Sequence, residues 1–116
     1  MIDRKKFDEN FQYFENDVII EIINIFDTEF DERFDALTRN IANRDFDQLK
    51  FNAHSLKGVV ANFMEPEVIR LSQRFDEMAK NREETGIIPL FEELKQRSVA
   101  LRNELLNIRE ELNSRS

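Results

Sequence analysis

Apolar positions recur along this chain at steps of three and four, the period of helices that bury one face. The first such stretch is short, about 3–14, with Phe7, Phe11 and Phe14 in register. A longer one runs from about 17 to 43, striped by Ile19, Ile23, Phe26, Phe30, Phe34, Leu37 and Ile41, with Asn16 and Asp17 as N-cap candidates. "ANRD" reads as a turn, and Asp45 is placed to cap a third helix over about 46–64, whose stripe is Leu49, Ala53, Leu56, Val60 and Phe63. "MEPE" interrupts the pattern. Pro66 suits the first turn of a fourth helix over about 66–81, carrying Val68, Leu71, Phe75 and Met78. After the loop "NREETG", a last helix over about 88–112 has Pro89 in its first turn and the stripe Phe91, Leu94, Ser98, Leu101, Leu105, Ile108 and Leu112.

Four amphipathic helices joined by short loops predict an all-α protein, an antiparallel up-down four-helix bundle with the short extra N-terminal helix as a lid. Residues 1–116 are expected to form one such domain. The last stripe also fits a coiled coil. Four striped helices can satisfy each other within one chain, however, so a monomer is the expectation.

Composition sharpens this picture. Two glycines and two prolines leave little turn chemistry for a β-sandwich, and eleven phenylalanines against one tyrosine and no tryptophan predict a Phe-rich core. The absence of cysteine excludes disulfides and thiolate metal sites and fits a reducing, cytoplasmic setting. The net charge is −7, and the basic residues are interspersed with acidic ones, which argues against nucleic acid as a partner. No stretch approaches the roughly 18 apolar residues of a membrane span. The start, MIDRKKFDEN, lacks the apolar core of a signal peptide. A di-iron bundle wants two Glu-x-x-His motifs, and one histidine cannot supply them, so no metal site is expected.

That histidine lies in "AHSLKG", residues 53–58, four positions before one of the two glycines. Glycine in a helix interior costs about 1 kcal/mol relative to alanine. On a helical wheel with Leu49 at zero, the third stripe stays within about 40° of it, whereas His54 falls at about 140° and Gly58 at about 180°. Lys50, Lys57 and Ala61 lie at about 80–120°, beside the histidine. His54 is therefore expected to face outward between two lysines, with Gly58 and Ala61 clearing space for a reacting partner. Phe51, at about 200°, is a candidate partner contact if the N-terminal helix does not cover it. A lone histidine between lysines is also an ordinary solvated helix face. Only the glycine, which loses helix stability without evident gain, argues for more.

The motif His54-x-x-Lys57-Gly58 resembles the core of histidine-containing phosphotransfer (HPt) domains. Their length, helix order and mid-helix outward histidine match this chain, and Leu71 and Phe75 fall where the family's following helix carries apolar residues. The resemblance implies that His54 accepts a phosphoryl group on Nε2 from the aspartyl phosphate of a response-regulator receiver domain and passes it to another receiver. It implies that Lys57 helps neutralise the phosphoryl charge, with Lys50 as a further cation, and that Gly58 leaves room. Many members place Gln or Glu on the neighbouring helix to bind the other ring nitrogen; the corresponding position here is Asp76, shorter by one methylene. Val59 and Val60 stand where the family has small residues, and Phe63 and Met64 where a glycine is common. The implied partners are receiver domains and a hybrid histidine kinase. No cofactor is expected beyond the Mg²⁺ that a receiver brings, and no nucleotide-binding or kinase activity, since the chain has no Gly-rich phosphate loop. Two other readings remain at this point: a helical bundle that binds partners without phosphorylation, and the excised phosphoacceptor domain of a chemotaxis-type kinase.

Overall fold

The four long sequence stripes become buried faces of helices, while the first is carried into its helix only at Phe7. The computed structural model describes residues 1–115, with α1 at Arg4–Asn10, α2 at Asn16–Ala42, α3 at Phe46–Val60, α4 at Pro66–Lys80 and α5 at Ile87–Ser114. All the expected core positions from Ile19 to Leu37 on α2 are buried, as are those of α3, α4 and α5; Ile41 is only partly so. Ser98 is among them, its hydroxyl enclosed in the α5 face without a hydrogen-bond partner among the described residues.

Helix starts follow the side-chain chemistry at α1, α3 and α4, but not at α2 or at α5, where Gly86 offers no side chain to cap with. Asp45 caps α3 by accepting from the Gln48 amide at 3.2 Å, and Glu65 caps α4 by accepting from the Val68 amide, with Pro66 in the first turn. Neither Asn16 nor Asp17 caps α2. The cap position is Glu15, which makes no side-chain capping bond; its carbonyl instead accepts from Val18 and Ile19.

In space α2 packs beside α3 and α5, and α4 also packs beside α3 and α5, closing a ring of four. Cross-helix pairs run in opposite directions along two of these seams. Arg33 meets Ser55 and Asn40 meets Asn52 between α2 and α3. Asn24 meets Arg109 and Asp31 meets Arg102 between α2 and α5. The bundle is therefore antiparallel along these seams, as short loops require. Phenylalanines thread its centre. The rings of Phe63, Phe26, Phe30, Phe34, Phe91 and Phe75 form a chain with successive centroids 4.7–6.0 Å apart, linking α2, α4 and α5. Tilted and edge-on contacts at such distances add to the burial of each ring, about 1.5–3 kcal/mol.

The helices are unequal: α2 and α5 have 27 and 28 residues, α3 and α4 have 15 each. At 1.5 Å per residue the long pair outreaches the short pair by about 18 Å. The N-terminal segment is tied down at that end. Asn10 donates to the Asn62 carbonyl, Asp3 donates its amide to Met64, and Arg4 pairs with Glu111. The Met1 ammonium sits 2.7 Å from Glu65, and this hydrogen bond raises its pKa above the ordinary value. Ile2, Phe7 and Phe11 are buried there.

Two helix ends differ from the expected ones. The first helix stops at Asn10 rather than 14; Phe11 remains buried, but Phe14 is half-exposed beyond the turn. The third α-helix stops at Val60, not 64. A 3₁₀ turn over Ala61–Phe63 follows, and Met64 closes it in the left-handed conformation with φ 58°. The tighter turn keeps Phe63 in the core while redirecting the chain into α4. Among the described residues no helix is long and apolar enough to cross a membrane.

Candidate functional site

Burial of Leu49, Ala53, Leu56 and Val60 fixes the rotation of α3 and turns His54 to the outside, where its side chain is 71% exposed. The face of α4 opposite it is not purely apolar. Ser72, Asp76 and Ala79 are buried along with Leu71, Phe75 and Met78. Asp76 thus lies in the seam between α3 and α4, its side chain only 12% exposed.

A carboxylate so enclosed needs compensation. It comes from Lys57, whose Nζ lies 2.9 Å from Oδ2. The other oxygen, Oδ1, faces His54 Nδ1 at 3.4 Å, longer than the about 2.7–2.9 Å of a charge-assisted hydrogen bond. The shorter side chain of aspartate therefore does reach the ring from α4, at ion-pair distance. With Asp76 on the Nδ1 side, Nε2 is left toward solvent and has no hydrogen-bond partner among the described residues.

Around the imidazole the surface is open. A Cβ built on Gly58 meets nothing within 4 Å, so no neighbouring helix demands a glycine there. Lys50 is exposed and makes no ion pair with any described residue. Together with Asp47, Phe51, His54 and Ser55 it lines a shallow hollow. Phe51 is 70% exposed, because the N-terminal helix docks elsewhere, against the bend after α3. Ala61 is exposed as well but belongs to the 3₁₀ turn, beyond the end of α3.

His54, Lys57 and Asp76 thus come together directly, with Lys50 and Phe51 on one side of the ring and Gly58 on the outer face. Two neighbours escaped the sequence reading. Arg33 of α2, itself 3.6 Å from Glu29, donates to the Ser55 hydroxyl at 3.0 Å. Arg82 of the α4–α5 loop reaches Asp47 at 3.0 Å, with its guanidinium over the Phe46 ring. Only the Glu29–Arg33 spacing, i and i+4, carries a local signal; the cross-chain contacts carry none.

Fold and site together define a helical bundle that presents one imidazole to solvent on a rigid backbone, its inner nitrogen facing a carboxylate. A family model described as the Hpt domain matches residues 21–111, and the chain belongs to that family. No curated protein and no solved structure matches it. The family's work is histidine phosphotransfer in phosphorelay signalling, and its members interact with receiver domains and histidine kinases.

Proposed function

We propose that His54 is the phosphoacceptor, taking a phosphoryl group from the aspartyl phosphate of one receiver domain and passing it to another. The observation that carries this reading is the exposed ring with its Nδ1 turned to Asp76 and its Nε2 free. The Nε2 lone pair of the neutral ring attacks phosphorus. The P–O bond to the receiver's aspartate breaks, and its electron pair leaves on that carboxylate. Nδ1 keeps its proton, facing Asp76.

Phosphoryl transfer of this kind rests on positioning and electrostatic stabilisation, so a bundle face suffices if the receiver supplies its acidic pocket and Mg²⁺. Lys57 and Lys50 offset the added charge. Gly58 leaves room for the group, and Phe51, with Ala61 at the margin, meets the receiver's surface. The chain works as a monomeric cytoplasmic carrier over residues 1–116, with no cofactor of its own.

Incubation with a phosphorylated receiver tests the reading. One phosphate should appear on His54, labile in acid and stable in alkali, and His54→Gln should abolish it. Label retained by the folded variant would refute the assignment. If His54→Gln kept full biological activity, the bundle would be an interaction module without phosphorylation.

A further inference from the structure

Two cations flank His54, and they are not in the same state. Lys50 is uncommitted, whereas Lys57 is engaged with Asp76 at 2.9 Å. A lysine ammonium has three donors, but one already held on a buried carboxylate spends its charge there and offers a second anion less than a free lysine would. Asp76, meanwhile, stands 3.4 Å from the ring nitrogen that keeps its proton.

We propose that Lys57 changes partner when His54 is phosphorylated, moving from Asp76 to the phosphoryl oxygens, and that the released Asp76 closes onto Nδ1–H. This rests on His54 being the phosphoacceptor. The charges match the exchange. Before reaction the ring is neutral, and Lys57 offsets Asp76. Attack by Nε2 forms the N–P bond, breaks the bond to the leaving group and leaves the ring positive, with its proton still on Nδ1. Asp76 then has a new cation beside it, and the dianionic phosphoryl group takes Lys57 and Lys50. Three positive charges stand against three negative ones, where an engaged Lys57 would leave the phosphoryl group with Lys50 alone.

The move is short. Lys57 lies one turn from His54 on the same side of α3, and its side chain is one-third exposed, so the ammonium can swing while the stem stays packed. Gly58, next in sequence, puts no side chain in the path. Asp76 acts through Lys57 and through the ring, as a positioning residue.

The test is a double-variant cycle on the phosphorylation equilibrium. Wild type, Lys57→Gln, Asp76→Asn and the double variant, each checked for native helicity by circular dichroism, are equilibrated with phosphoramidate at fixed ammonium concentration. Nε2 displaces ammonia from phosphorus, and intact mass gives the phosphorylated fraction. Lys57→Met replaces Lys57→Gln should the latter not fold. With Asp76 present, Lys57 must give up one partner to gain the other, so its removal changes the equilibrium little. In the Asp76→Asn background its full effect appears, and the loss should be at least about threefold larger, the scale of one partly screened ion pair. Equal losses in the two backgrounds, or none in either, would overturn the exchange while leaving the phosphoacceptor assignment standing. Failure of wild-type His54 to be phosphorylated at all would remove both.

Discussion

The two glycines offer a paired test of what each is for. Gly58 lies inside α3 with helical backbone, and Gly86 caps α5 at φ 82°. A Cβ at either position meets nothing within 4 Å, so neither glycine is there for close packing. Substitution by alanine should therefore act through the backbone alone, and with opposite signs. At Gly58 alanine gains helix propensity, about 1 kcal/mol. The unfolding entropy of about 2.1 cal/mol/K per residue over 116 residues converts this to a rise in Tm of about 4 °C. At Gly86 the left-handed backbone penalises any Cβ, and alanine should lower Tm by a similar amount. Thermal unfolding followed at 222 nm measures both. Phosphotransfer measured alongside should survive Gly58→Ala and fall with Gly58→Gln, whose side chain fills the space beside the ring. Two outcomes refute the reasoning: a Gly58→Ala variant less stable than wild type, which would mean hidden packing at that face, or a Gly58→Gln variant that transfers at the normal rate, which would mean the glycine is not about access.

Other substitutions probe the surface and the bend. Phe51→Ala should leave stability within about 0.5 kcal/mol, since the ring is 70% exposed, while weakening receiver binding measured by calorimetry; unchanged affinity would move the docking face elsewhere. Met64→Gly should stabilise the fold by about 1 kcal/mol in denaturant titration, because glycine relieves the left-handed residue after the 3₁₀ turn; a loss of stability would show that the partly buried Met64 side chain outweighs its backbone.

The bundle was legible because its helices are long and each stripe is regular enough to be read without its neighbours. What escaped was decided by contacts between elements. Spacing alone places Phe14 on the first helix, yet after Asn10 the chain is already turning, with the Phe14 amide bonded to Phe11. Spacing also carries α3 through Phe63. The core does take that ring, but by way of a tighter turn ending on a left-handed methionine, a residue that gives no sequence sign of such a conformation. At the site, the outward angle of His54 followed from the wheel, because four buried neighbours set it. The position of Asp76 came from resemblance, and its bond to Lys57 from neither; that bond depends on how closely α3 and α4 approach.

The anchoring of His54 has a consequence for recognition. Apolar neighbours hold α3 before and after it in the core, so if His54 takes a phosphoryl group as proposed, side chains should move while the backbone keeps its outline. On that proposal a donor and an acceptor see the same contour. What tells a loaded carrier from an empty one is its electric field, altered by a group bearing up to two negative charges on a domain already at −7. Preference for one form over the other is then written in long-range attraction and repulsion, so ionic strength sets how sharply a receiver distinguishes them.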